Sequence, residues 1–132
     1  MSTELQPLVI HLHSEGYERA YQALTLALTS KALGQPVTVV VAFGALRALS
    51  EDRLGEPLPG PDLWCARRSE QVGTLPVTKL LAEARALGVA FVACETVVKL
   101  SGVDEELLEG RAELTSLVDI VRVQQRGQVI YL

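Results

Sequence analysis

The sequence predicts an α/β domain with a parallel β-sheet and helices on both faces. Two apolar runs, residues 37–43 and 88–95, are rich in β-branched or small residues and are bounded by turn residues. Such runs are typical of strands that are buried on both faces. Apolar residues recur at helical spacing between these runs and around them, and an alternation of strands and helices favours a parallel sheet.

The first predicted unit is strand, helix, strand. Residues 8–13 are mostly apolar or β-branched and predict the first strand. Residues 17–33 carry apolar side chains at helical spacing, and Gly34 is placed to end that helix. The run 37–43 predicts the second strand. We expect a right-handed crossover, because parallel strands joined through a helix almost always have that hand.

The helical pattern is absent from residues 47–75, where prolines and glycines cluster. This segment is predicted to be a long irregular loop. Loops of that length in a compact domain are commonly functional lids or mobile segments. The apolar island 63–66, which contains Trp64, predicts that part of the loop packs against another surface.

The second half continues the alternation. Residues 77–87 predict a helix that Gly88 ends, and the strand ending at Cys94 follows directly. A short helical stretch, a turn at Gly102 and an acidic turn at 104–110 come next.

The last predicted elements are a short strand, a helix and a final strand. The short strand covers residues 111–114, and the final strand covers 128–132. Ser116 and Asp119 have the spacing of a capping box, which predicts a helix that ends near Arg126. The predicted apolar face of this helix consists of Leu117, Ile120, Val121 and Gln124.

Length and composition limit the functional classes. The 132 residues predict a single domain over 1–132, and no apolar run has the roughly 20 residues that a membrane helix needs. The net charge of −4 and the 5% aromatic content argue against nucleic acid or acidic lipid as partners. The first residues lack the features of a signal peptide. We therefore expect a cytoplasmic protein whose two cysteines are thiols.

Cys94 is the first candidate for chemistry. It ends a predicted buried strand, and ligands of parallel sheets meet the carboxyl ends of the strands. An adjacent helix N-terminus lowers the pKa of a thiol, whereas a neighbouring carboxylate such as Glu95 raises it. The alternative is an inert, buried cysteine that serves only for packing.

Several features together resemble the DsrE/DsrF-like family, which includes sulfur-relay subunits. They are the strand that ends in Cys94, Gly102 eight residues later, the segments 102–110 and 114–119, and the final strand. The resemblance covers the whole chain in order and is strongest after Gly88. It implies a flavodoxin-like three-layer sandwich with a five-stranded, mainly parallel sheet, and it implies assembly into trimers or hexamers.

The resemblance also implies a function. In sulfur-relay members, the cysteine that matches Cys94 accepts sulfur as a persulfide and passes it on. The chain would then be a sulfur carrier between a donor and an acceptor protein, with His13 and Lys99 stabilising the thiolate. The alternative is a non-catalytic oligomeric module that binds a small ligand or a protein and uses Cys94 only for packing.

His11 and His13 share one face of the first strand, because side chains alternate along a strand. In the flavodoxin strand order 2-1-3-4-5, the first strand lies beside the Cys94 strand, so His13 would reach the thiol and activate it. The alternative is a capping or hydrogen-bonded histidine. We favour that alternative for His11 and leave both interpretations open for His13.

No metal or cofactor is expected. The potential zinc ligands His11, His13, Cys65 and Cys94 lack a diagnostic spacing. Residues 13–18 occupy the place where flavodoxins hold the flavin phosphate, but their two glutamates oppose an anion. Cys65 is a packing residue, a resolving thiol or an exposed thiol, and we favour packing.

Overall fold

The computed structural model describes residues 5–132, which build one five-stranded sheet in which all pairs are parallel. The strands are β1 (Leu8–Leu12), β2 (Val37–Val41), β3 (Ala90–Cys94), β4 (Glu113–Thr115) and β5 (Gln128–Tyr131). The helices are α1 (Tyr17–Ala32), α2 (Phe43–Ser50), α3 (Pro61–Val72), α4 (Val77–Ala86), α5 (Glu95–Ser101) and α6 (Leu117–Gln124), with a 3-10 helix at Glu105–Leu108. The predicted five-stranded α/β fold is confirmed.

The strand order is β4-β3-β2-β1-β5. The expected order 2-1-3-4-5 is therefore wrong, since β2 lies between β1 and β3. Leu8 of β1 is in register with Val37 of β2, and Thr38 of β2 is in register with Ala90 of β3. The sequence could not decide between the two orders, because β1 and β2 are apolar on both faces and either could occupy the middle of the sheet.

The direction of each crossover connection decides which face of the sheet its helix covers. The chain moves across the sheet from β1 to β4 in one direction and then returns past β1 to form β5. Right-handed crossovers place the helix of the return connection, α6, on the opposite face from α1. The main core lies between the sheet and helices α1, α2 and α4, whereas a small buried cluster lies under α6. Helices cover both faces, as predicted, but very unequally.

The predicted irregular loop at 47–75 is wrong in its central part. Residues up to Ser50 belong to α2, and residues 61–72 form α3. Pro61 is the first residue of α3, and Gly73 ends the helix with a left-handed φ of 77°. Proline at the start and glycine just past the end are normal helix boundaries. The sequence pattern did not predict this helix, because none of its residues is fully buried and it therefore has no apolar stripe.

Within residues 5–132, no helix has the length and apolar character needed to cross a membrane.

Candidate functional site

Cys94 is the last residue of β3 and the N-cap residue of α5. The predicted place of this thiol at the carboxyl end of a buried strand is confirmed. Its residue is 8% exposed, and it belongs to the small cluster under α6 with Val9, Val40 and Ile120. The thiol therefore lies in an apolar environment beside Ile120 of α6 and has little contact with solvent.

A second helix also begins beside this thiol. Cys94 is in register with Thr115, the last residue of β4. The next residue, Ser116, is the N-cap of α6, and its Oγ accepts a hydrogen bond from the backbone N–H of Asp119 at 3.2 Å. The predicted cap is confirmed. Helix N-termini carry partial positive charge, so α5 and α6 both contribute a field at the end of β3 that favours an anion.

The predicted neighbourhood of His13 and Cys94 is wrong, because β2 separates their strands. His11 is in register with Val40, which is in register with Val92. Two residues further along each strand, His13 and Cys94 face the same side of the sheet across two strand spacings, or about 10 Å. The His13 ring instead lies near the rings of His11, Phe43 and Tyr131, with centroid distances of 5.7, 6.0 and 5.9 Å.

His11 is buried and hydrogen-bonded, which confirms the favoured interpretation. Its Nε2 hydrogen-bonds the Oε1 of Gln124 on α6, and its ring stacks on Tyr131 of β5 at a centroid distance of 4.4 Å. Burial lowers the pKa of His11; the bond to Gln124 opposes this effect and the nearby His13 adds to it. His11 therefore joins β1 to α6 and β5 and favours the neutral state.

An aromatic group at the ends of β1, β2 and β5 was missed by the sequence analysis. Phe43 begins α2 with φ of 49° and is 42% exposed, while Tyr131 is 63% exposed. A left-handed φ is strained in a bulky residue and is common at functional sites. The alternation of β5 does place Tyr131 on a definite face, but only the pairing of β5 with β1 brings it to the histidines.

Lys99 does not lie against the thiol. It is an exposed residue in the last turn of α5, five residues after Cys94, which corresponds to about 7 Å along a helix axis. Glu95 is also exposed, in the first turn of the same helix. Neither side chain makes a hydrogen bond to Cys94 in the part of the chain that the structure describes.

Cys65 and Cys94 lie on opposite sides of the sheet. Cys65 of α3 packs against the main core, on the side of α1, whereas Cys94 belongs to the cluster under α6. The packing role favoured for Cys65 is confirmed, and this arrangement does not allow it to act as a resolving thiol for Cys94. The neighbouring Trp64 is 69% exposed. Within residues 5–132, no group of three or more His, Cys, Asp or Glu side chains could hold a metal ion.

The N-terminus of α1 is occupied by a side chain from α3. The Asp62 carboxylate accepts hydrogen bonds from the backbone N–H groups of Tyr17, Glu18 and Leu58, each at 2.7 Å. Burial by itself would raise the pKa of Asp62, but the three N–H groups bring it below its usual value. An anionic group of the chain therefore fills the place where flavodoxins hold the flavin phosphate, and it ties α3 to α1.

Comparison with known proteins agrees with this fold. Three solved structures are similar over nearly the whole chain. The ychN protein of E. coli has 18% identity and a TM-score of 0.66, with 97% of this chain and 100% of that chain covered. MTH1491 of Methanobacterium thermoautotrophicum, described as a protein of unknown function, has 20% identity, a TM-score of 0.59 and coverage of 96% and 99%. BT1422 of Bacteroides thetaiotaomicron, also of unknown function, has 12% identity, a TM-score of 0.57 and coverage of 94% of each chain.

At these identities, the structural similarity shows the fold alone. No curated protein sequence matches the chain. The sequence model of the DsrE/DsrF-like family, however, matches residues 8–132, which include every strand and helix described above. The chain belongs to the DsrE/DsrF-like family.

Proposed function

We propose that this protein is a sulfur carrier in which Cys94 accepts a sulfane sulfur from a donor protein and passes it to an acceptor protein. The observation that carries the proposal is the position of Cys94, at the carboxyl end of β3 where α5 and α6 both begin. Membership of a family that is associated with sulfur relay supports the same chemistry. Such a role belongs in a reducing compartment, and we propose the cytoplasm.

The proposed step is a thiol exchange without net oxidation. The Cys94 thiolate attacks the terminal sulfur of a donor persulfide, so that a new S–S bond forms at Cys94 Sγ. The S–S bond of the donor breaks, and the donor leaves as a thiolate. An acceptor thiolate or another nucleophile then attacks the same terminal sulfur and regenerates the Cys94 thiolate. The field of the α5 N-terminus, where Cys94 is the N-cap residue, favours the anion in both steps.

Burial of Cys94 determines how the sulfur reaches it. Ile120 of α6 packs in the same cluster and is itself 5% exposed. The helix has eight residues and buries only Ile120. We propose that donor and acceptor proteins reach the thiol by displacing α6. His13 and Lys99 remain proposed contributors that act at a distance and not through contact with the thiol.

Mass spectrometry of the intact protein tests the proposal. After exposure to a low-molecular-weight persulfide, we expect the parent protein to gain one sulfur atom that a reducing agent removes. Cys94→Ser should not gain it, and Cys65→Ser, the matched control, should gain it normally. Loading at Cys65 alone, or equal loading at both cysteines, would overturn the proposal.

The second candidate function is a non-catalytic oligomeric module, and the exposed side of α6 favours it. Leu117, Val118 and Val121 are 61%, 58% and 38% exposed on this helix, so the prediction that Leu117 and Val121 face the core with Ile120 is wrong. These three residues form what we call the α6 patch. In this second candidate function, we propose that a second copy of the chain covers the α6 patch in a homo-oligomer, a trimer or hexamer.

A further inference from the structure

Arg85 is a half-buried guanidinium without an acidic partner. It lies in the last turn of α4, and its carbon Cζ is 4.8 Å from the centroid of the Phe91 ring. One of its nitrogens donates a hydrogen bond to the backbone carbonyl of Arg111 at 2.8 Å. Among residues 5–132, no carboxylate forms an ion pair with it. Burial lowers the pKa of Arg85 and the charge of Arg111 lowers it further, while the charge of Asp52 opposes both effects.

The neighbouring Arg111 is neutralised within the chain. Two of its nitrogens donate to the two carboxylate oxygens of Asp52 at 2.8 and 2.7 Å, and the third donates to the carbonyl of Leu107 at 3.0 Å. Arg85, by contrast, forms one hydrogen bond and no ion pair among residues 5–132, so most of its five N–H donors remain available to a ligand.

Two cavities adjoin this charge, with volumes of about 370 and 330 Å³. Both are lined by Arg85, Gly110 and Arg111. The first also has the apolar walls Leu49, Leu54 and Leu81, and the second has Val89, Phe91 and Ala112. They lie where the chain enters β3 and β4, at the opposite end of β3 from Cys94. This place is therefore independent of the proposed sulfur site.

The chemistry of the walls indicates the class of ligand. The planar guanidinium group of arginine binds a carboxylate through two parallel hydrogen bonds. The apolar walls suit a hydrocarbon body. Asp52 and Glu109 also line the first cavity and Glu113 lines the second. These carboxylates repel anions, so a ligand with more than one negative charge is disfavoured. We propose that Arg85 forms a binding site for a small monocarboxylate with an apolar body, which lies in these two cavities.

A titration of the full chain with hexanoate, followed by amide NMR spectra, tests this site. We expect saturable shifts at the amides of Gly110, Arg111 and Ala112 and none at Cys94. Acetate, which has the carboxylate without the longer chain, should bind at least about tenfold more weakly. Absence of saturable shifts at these three amides, or equal binding of acetate and hexanoate, would overturn the proposal.

Two substitutions, one at the site and one away from it, make the test specific. Arg85→Gln should weaken hexanoate binding at least about tenfold, since it removes a charged hydrogen-bond donor. Arg68→Gln, which removes the same charge from an exposed position of α3, should leave binding unchanged. Unaltered affinity in Arg85→Gln, or an equal loss in Arg68→Gln, would contradict the assignment.

Asp52→Asn tests the site through a gain of binding. This test remains valid even if Arg85→Gln does not fold. The Asp52 side chain is 70% exposed, so its loss should be tolerated. The substitution frees the guanidinium of Arg111 and should strengthen binding of hexanoate by several-fold or more. Hexanoate binding to Asp52→Asn that equals binding to the parent protein would contradict the proposed site.

Discussion

His13 and Cys94 face the same side of the sheet, yet the whole of strand β2 lies between them. The histidine therefore has no direct access to the thiol. Its ring is instead part of an aromatic group with His11, Phe43 and Tyr131. If Cys94 carries sulfur, its thiolate is stabilised by the helix N-terminus at the end of its own strand and not by a histidine partner.

His13→Ala should accordingly change the rate of persulfide loading only slightly. A direct hydrogen bond between a histidine and a thiolate would make the effect roughly tenfold or larger. Loading rates measured by mass spectrometry at several times after mixing give the comparison. A loss of tenfold or more would show that His13 reaches Cys94 in a state that differs from this structure.

Ile120→Ala should expose Cys94 and destabilise the protein. The Ile120 side chain is buried in the Cys94 cluster, and its truncation should cost about 2–4 kcal/mol in the free energy of unfolding. Leu117→Ala on the same helix removes a side chain of the same size that is 61% exposed, and it should cost less than about 0.5 kcal/mol. Chemical denaturation measures both values.

The alkylation rate of Cys94 should rise in Ile120→Ala but not in Leu117→Ala. Cys65 is an internal control, because it packs on the other side of the sheet. A parallel rise at both cysteines would indicate global unfolding. An unchanged rate at Cys94 would show that α6 is not the cover.

The depressed pKa of His11 predicts a pH-dependent stability. Above the ordinary histidine pKa of 6.5, the group is neutral in both the folded and the unfolded state. As the pH falls below 6.5, the unfolded chain takes up a proton that the folded protein does not, so the free energy of unfolding should decrease. Below the pKa of His11 in the folded protein, both states are protonated, so the free energy of unfolding should decrease no further on account of this group.

Thermal or chemical unfolding between neutral and mildly acidic pH checks this effect. His11→Phe keeps a ring against Tyr131 and should remove most of the decrease. His13→Asn is the control and should keep most of it, because His11 is still present. The prediction fails if the two variants show the same pH dependence.

Asp62→Ala should destabilise the attachment of α3. The substitution leaves three backbone N–H groups without their acceptor and should cost about 1 kcal/mol, the typical value of a lost helix cap. Asp104→Ala is a suitable control, since Asp104 precedes the 3-10 helix without a side-chain capping bond. Hydrogen exchange at the first turn of α1 should accelerate in Asp62→Ala only. Equal effects of the two substitutions would rule out the capping role.

The α6 patch predicts self-association. Leu117→Asp places a charge in the patch and should convert the proposed oligomer to monomers, as measured by light scattering. Trp64→Asp changes a large exposed apolar side chain on α3 and should leave the oligomer intact. The opposite result would assign the interface to α3. A parent protein that is monomeric across micromolar concentrations would remove the oligomer altogether.

Local sequence patterns predicted much of this structure. The apolar strands, the amphipathic α1 and α4, the Ser116 cap and the position of Cys94 at the end of β3 all agree with the structure. Each depends on the spacing of side chains along a few turns or one strand. The α3 helix was missed because it is held by Asp62 and by one partly buried side, and neither leaves a periodic apolar signal.

The sequence by itself therefore determined the fold class, the sheet and the strand-end thiol. The tertiary structure alone decided the strand order, since strands that are apolar on both faces have no preferred neighbour. That order set His13 apart from Cys94 and brought Tyr131 to the histidines. It also left Arg85 beside an arginine already paired with Asp52, a relation between residues far apart in the chain that no local pattern encodes.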